Sequence, residues 1–291
     1  MPKGYESRKN AVDSSLEEYF ANKYEELPHA KLIESMRYSV MAGGKRIRPI
    51  LVSEFCRVSG GGEKRALPAA LAIEMLHTYS LIHDDLPCMD GDDYRRGKPT
   101  NHKVYGEWLA LLAGDALQAE AYYCILSSAL PADLRADCAE MLAEAAGADG
   151  ICAGQYLDMS NTGKEITDIQ LLDINSRKTA SLIVTACRMG AVIGGAGEKE
   201  EEAAVRYGAA LGMAFQIRDD MLDEIGRREE LGKDPGSDGK AGKTTFMTVL
   251  GGKGCEEMIR KLTETAKDAV LIFKDNKFLT DLADSLAERT N

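Results

Sequence analysis

The sequence predicts an all-α protein, and three observations carry that reading. Apolar residues recur at three- and four-residue steps, as in Leu67, Leu71, Met75, Tyr79 and Ile82, the signature of a helix facing a core. No stretch alternates apolar and polar residues in the manner of a half-buried strand. No repeat or low-complexity linker interrupts the 291 residues, 44% of them hydrophobic. Length alone permits two domains, but that apolar content suffices for one large core, so a single helix-bundle domain over residues 1–291 is expected.

The elements follow in order. Val12, Leu16, Tyr19 and Phe20, then Leu32, Met36 and Val40, mark two helices that Pro28 separates. Gly43 and Gly44 end the second helix. Lys45, Arg46 and Arg48 come next, then Pro49 and a helix over 50–58. Three cations at a Gly-Gly turn and a helix start suit a diphosphate, and they equally suit a plain basic surface. A loop over 59–63 precedes a helix running to Asp84, which Pro87 stops. Residues 108–130 read as a long apolar helix and 131–150 as an Ala-rich one. Gln155 and Asp158 stand three apart beside an apolar run. Lys178 and Thr179 enter a helix that continues through Leu182, Ile183 and Val184. A lysine in so apolar a segment must reach a partner or snorkel to water. The last forty residues place Val270, Ile272, Phe278 and Leu282 in short helices that serve packing.

Two acidic clusters stand out. Asp84, Asp85, Asp90, Asp92 and Asp93 lie within ten residues at the end of a buried helix, followed by Arg95 and Arg96. At 4 Å and an effective dielectric near 20, each like-charge pair costs roughly 4 kcal/mol. A solvated surface would relax that cost, but the apolar approach favours a bound cation. In the second cluster Gln216, Asp219, Asp220 and Asp223 fall at i, i+3, i+4 and i+7, one face of a mostly apolar helix. Oxygen donors with no Cys or His in the row point to Mg²⁺ rather than Zn²⁺. His83 beside Asp84 resembles the HD pair of metal phosphohydrolases, but besides His77 only His29 and His102 remain to complete such a site. His77, seven residues before Asp84, shares its helix face.

Composition narrows the function. A formal charge of −11 argues against nucleic acid, and an acidic protein that binds an anion through acidic clusters needs bridging cations. Seven scattered cysteines without a C-x-x-C pair read as reduced thiols. With no 18-residue apolar run and no apolar leader, a cytoplasmic protein without a membrane anchor is expected. The stretch from Gly232 to Thr245 mixes Gly, Pro and Lys and reads as a mobile lid over phosphate. It is no Walker loop, because position 237 is Ser rather than Gly.

The acidic pair resembles the first and second aspartate-rich motifs of the trans-isoprenyl diphosphate synthases, most closely the bacterial farnesyl type. Asp84, Asp85 and Asp90 match the longer Asp-Asp-x4-Asp form, and Asp219, Asp220 and Asp223 match the second motif. The likeness runs from the Gly43–Pro49 element to Gly242, Lys243 and Thr244. It implies an antiparallel bundle around a deep central cavity, a homodimer, and about three Mg²⁺ held by those six aspartates. It implies that Gly44, Lys45, Arg48, His77 and Arg96 hold isopentenyl diphosphate. Arg95, Lys178, Thr179, Gln216 and Lys233 would serve the allylic diphosphate and its cation, with Asp84, Asp85, Lys178, Gln216 and Asp219 closest to the chemistry. Asp92 and Asp93 would orient the arginines or stay solvated. Tyr79 and Ser80 would set the cavity floor, about 7.5 Å along the helix from Asp84 in the case of Tyr79. An aromatic there implies a fifteen-carbon product, farnesyl diphosphate. Geranyl or geranylgeranyl diphosphate is the alternative on the same scaffold, and a terpene cyclase is a more distant one.

Overall fold

Helices make up nearly all the regular structure of the computed structural model, which describes residues 1–21, 27–231 and 244–289. The chain forms two compact units.

The first unit comprises Gly4–Ala143 with Met189–Ala196. It contains α1 (Tyr5–Phe20), α2 (Ala30–Val40), α3 (Ile47–Val58), α4 (Glu63–Asp84), α5 (Asn101–Tyr105), α6 (Glu107–Leu126) and most of α7 (Ala132–Ala146). Helix α4 is its axis, packed on α3 and α6. Ala69, Ala70, Ala72, Ile73, Met75 and Leu76 are all fully buried; a helix apolar on every side belongs at the centre of a core. Of the five residues that announced it, Leu67 differs: it is only the fifth residue of the helix and is 36% exposed. Helix α3 starts at Ile47, three residues earlier than expected. Pro49 fits inside its first turn, where a backbone N–H would lack a helical partner anyway.

The expectation of no strands fails at one place. Tyr94–Arg95 and Lys98–Pro99 pair as a short antiparallel hairpin, β1 and β2. Its two-residue turn is Arg96 and Gly97, at φ 54° and 74°, and positive φ at both positions is what closes a tight hairpin with the right twist. Two-residue strands are too short to show alternation in sequence. Helix α6 ends at Leu126 rather than near 130. Trp108, Leu111, Leu112, Tyr123 and Leu126 lie exposed along one of its faces, Trp108 at 68%.

The second unit comprises Glu144–Arg188 and Gly197–Asn291 with Met1–Lys3. Here lie α8 (Ile151–Ser160), α9 (Asp168–Asn175), the first half of α10 (Ser181–Gly194), α11 (Glu198–Leu231), α12 (Phe246–Ala269) and α13 (Lys277–Ala287). Leu171, Ile217, Met221, Phe246, Cys255 and Ile259 form a core between α9, α11 and α12. The C-terminal part is not all short helices: α12 has 24 residues and turns at Gly251, whose φ is 65°. Val270, Phe278 and Leu282 are buried as expected, but Ile272 is exposed.

Between α9 and α10 the helix widens to one π-helical turn, Ser176–Ala180, a form common at functional sites. Helix α8 presses on it closely. A Cβ at Gly154 would sit 2.4 Å from the Lys178 nitrogen, so only glycine permits this approach. All seven cysteines are free thiols, five of them buried. Among the described residues no helix is long and apolar enough to cross a membrane.

Candidate active site

In the first unit, basic residues from three stretches converge. The turn after α2 passes through Gly43 and Gly44 at φ 93° and 121°. The Arg96 guanidinium packs against Gly44, where a Cβ would lie 2.7 Å from Cζ, and its Nη1 donates to the Gly43 carbonyl. His77, half-buried on α4, completes the corner. Its imidazole is held well below the usual histidine range, first by burial and then by the charges of Arg48, Arg96, Arg95 and Arg46. It is therefore a neutral group amid four cations at pH 7, and it can donate or accept without adding charge. Burial and the neighbours Arg46 and Arg95 also lower the Arg96 pKa. Positive charge concentrated this way suits a polyanion. Thus Gly44, Arg48, His77 and Arg96 come together, and Lys45 lies in the same turn.

Arg95 turns elsewhere. Its Nε reaches both Asp85 oxygens at 2.8 and 2.9 Å, and its Nη2 lies 2.7 Å from Oδ1. Asp85 is 3% exposed; burial pushes its carboxyl up, and Arg95 pulls against that shift. Asp92 also approaches Arg95, at 3.7 Å, but Asp93 pairs with Lys103 instead of an arginine. Asp84 and Asp90 are half-buried. On α4, Tyr79 is 5% exposed and meets the His83 ring edge-on, centroids 5.7 Å apart. Ser80 donates to the His77 carbonyl at 2.9 Å.

The second unit holds a cavity of about 300 Å³ lined by Asp158, Lys178, Thr179, Gln216, Asp220 and Asp223 among others. Lys178 reaches the partner its apolar helix demands, Asp158 Oδ2 at 2.8 Å. Thr179 Oγ1 donates to Gln216 Oε1 at 2.9 Å, and Gln216 Nε2 donates to Asp220 Oδ1 at 2.9 Å. The other Asp220 oxygen accepts the Phe246 N–H at 2.8 Å. Burial raises the Asp220 pKa, and those two donors oppose the shift. Asp219 is ion-paired with Arg289, whose guanidinium stacks 4.0 Å above the Phe215 ring. Asp223 is exposed. Nothing in the sequence singled out Phe246 or Arg289. The sequence marks Asp158 only by its spacing from Gln155, whose buried amide has no hydrogen-bond partner among the described residues. Lys233 and most of the anticipated lid lie outside the described residues.

Among the described residues no three His, Cys, Asp or Glu side chains form a ready metal cage. The donor chemistry still fits a hard cation. The aspartates of both rows offer carboxylate oxygens, and each row already attracts a cationic side chain, Arg95 on Asp85 and Arg289 on Asp219.

A polyprenyl synthetase family model matches residues 29–271. The chain belongs to that family. Two similar relatives are a geranylgeranyl diphosphate synthase of Cyanophora paradoxa, 46% identical over 89% of this chain and 88% of its own, and a farnesyl diphosphate synthase of Geobacillus stearothermophilus, 45% identical over 89% and 88%. A solved FPP/GFPP synthase from Zymomonas mobilis superposes with a TM-score of 0.89 at 32% identity, covering 98% of this chain and all of that one. The all-α fold of this chain is therefore that of the isoprenyl diphosphate synthases, and its class is that of the short-chain prenyltransferases.

Proposed function

We propose that this polyprenyl synthetase condenses isopentenyl diphosphate with dimethylallyl and then geranyl diphosphate, releasing inorganic diphosphate and farnesyl diphosphate. The observation that carries the reading is the guanidinium corner of Arg48, Arg96 and His77 around Gly44, a polyanion site in a protein of charge −11. Lys45, Arg48 and Arg96 would hold isopentenyl diphosphate there. Its bound form tolerates a neutral His77, which can donate one hydrogen bond to a phosphate oxygen.

Ionisation of the allylic diphosphate is the demanding step, because a phosphate leaving group departs with its charge. Asp84, Asp90, Asp219 and Asp223 would hold Mg²⁺, which supplies charge neutralisation when bound; Asp85 and Asp220 serve mainly to fix their neighbours. Lys178 and Arg95 would add positive charge to the departing group, each already oriented by a carboxylate, Asp158 and Asp85. The Thr179–Gln216–Asp220 chain would present the Gln216 and Thr179 oxygens to the allyl cation. The isopentenyl double bond then attacks that cation, and loss of a proton completes the extension. The residues named need supply no covalent nucleophile.

Product length rests on Tyr79. It is a bulky side chain, buried five residues before Asp84, and would block extension beyond fifteen carbons. Twenty carbons, the product named for the Cyanophora relative, is the competing outcome. The exposed apolar face of α6 supports a homodimer, and seven free thiols suit a cytoplasmic setting. The experiment is an assay with Mg²⁺, isopentenyl diphosphate and each allylic primer, with products separated by chromatography. Farnesyl diphosphate is expected. A twenty-carbon product would overturn the role of Tyr79, and no diphosphate release from any primer would overturn the enzyme reading itself.

A further inference from the structure

Arg46 sits between Lys45 and Arg48 and points into the interior of its unit. Its backbone is left-handed, φ 51° and ψ 34°, at the residue that starts α3, a conformation that side-chain-bearing residues adopt only when their surroundings enforce it. Those surroundings are specific. The Arg46 side chain is fully buried, and all three of its nitrogens are used. Nε donates to Asp13 Oδ1 at 2.8 Å, Nη1 to Glu74 Oε1 at 2.6 Å, and Nη2 to the Val40 carbonyl at 2.6 Å. Asp13 belongs to α1, Glu74 to α4 one turn before His77, and Val40 ends α2. One residue earlier, the Lys45 carbonyl accepts a hydrogen bond from the hydroxyl of Tyr5, a residue of α1 that is 2% exposed.

Helix α1 therefore grips the 43–48 turn at two adjacent residues, through a hydroxyl and a carboxylate. It does so from outside the residues 29–271 that the family model matches. Glu74 and Asp13 have a second effect: they are the acidic groups that offset the mutual repulsion of the arginines around Arg96. A cluster of guanidiniums without such counter-charges would push apart before any ligand arrived.

We propose that Tyr5, Asp13, Arg46 and Glu74 are positioning residues for the isopentenyl diphosphate corner, locking the 43–48 turn so that Lys45 and Arg48 are preset for the phosphates. This rests on the function proposed above. It makes α1 part of the apparatus for one substrate and not the other. Misplacing a phosphate-holding group by about an ångström can cost up to about a hundredfold, so loosening one tether has a visible effect.

The test uses the full chain and two mild variants, Tyr5→Phe and Asp13→Asn, with Asp13→Glu as the conservative replacement. KM is measured separately for isopentenyl diphosphate and for geranyl diphosphate, alongside Tm. The expected result is a rise of about tenfold in KM for isopentenyl diphosphate in Tyr5→Phe and Asp13→Asn, with KM for geranyl diphosphate within about twofold and partial recovery in Asp13→Glu. A lower Tm with both KM values unchanged would reduce the network to ordinary stabilisation and overturn the proposal. Equal rises in both KM values would overturn it as well. Should Asp13→Asn fail to fold, Tyr5→Phe, which deletes one hydroxyl and no charge, decides alone. A wild-type chain that neither binds nor turns over isopentenyl diphosphate would sink the functional reading instead, a result separate from any of these.

Discussion

The two aspartate rows are spelled almost alike, yet their surroundings treat them differently. In each row at least one carboxylate is already engaged by the protein itself. In the first, Asp85 is clasped by Arg95, a charged partner ten residues along the chain that a tight hairpin brings round. In the second, Asp220 is held by neutral donors, the Gln216 amide and the Phe246 backbone N–H. Burial raises both carboxyls; a guanidinium opposes the shift at Asp85, whereas Asp220 has only dipoles to oppose it. The first arrangement thus couples an aspartate row to Arg95; the second couples one to Thr179 and Gln216. Under the function proposed above, adjacent aspartates would divide their work, one toward a cation and one toward the scaffold.

That contrast can be broken in several ways. The largest effect is expected from Asp84→Asn or Asp219→Asn: turnover falls by about a thousandfold or more while the far-ultraviolet spectrum is retained. If both rows serve one ionisation, the double variant is no worse than either single one. Asp220→Asn should instead keep most activity, because an amide can still accept the Phe246 N–H; loss as deep as that of Asp219→Asn would refute the division of labour. Next in size, Gly44→Ala forces a methyl into the Arg96 guanidinium at a left-handed position. KM for isopentenyl diphosphate should rise by about tenfold or more, since the cation must move.

Tyr79→Ala should lengthen the product and cost about 2–4 kcal/mol of stability through the cavity it leaves; a product still of fifteen carbons would place the floor elsewhere. Arg289→Ala removes a cation that competes for Asp219, and the Mg²⁺ concentration for half-maximal rate should drop severalfold. The smallest effect concerns His77. Its folded pKa lies below its unfolded value of 6.5, so the unfolded chain binds the extra proton first. The stability that His77 protects is complete above pH 6.5 and declines as pH falls toward the folded pKa. His77→Gln should flatten that part of the pH–stability curve.

The helices were legible because burial imprints a 3.6-residue period, and the axis position of α4 follows from an apolar surface on every side. The acidic rows and the Gly43, Gly44 turn were legible because charge and glycine are costly in such places unless they are used. What the sequence could not show depends on contacts across long separations. Arg289 pairs with Asp219 across seventy residues, and Tyr5 reaches Lys45 across forty; neither has a local pattern. The 94–99 hairpin hid because two strand residues carry no period. Leu67, Trp108 and Ile272 read as core because periodicity reports a face, not what covers it.

The proposed function requires the two diphosphates to be held by different chemistry, one by guanidiniums and the other through cations held by aspartate. Calorimetric titration of isopentenyl diphosphate and of a non-ionising geranyl diphosphate analogue, each with Mg²⁺ and with chelator, tests it most directly. Isopentenyl diphosphate should bind within about threefold in both conditions, while the analogue should lose about a hundredfold or more in chelator. Equal dependence of both ligands on Mg²⁺, or of neither, would contradict the account.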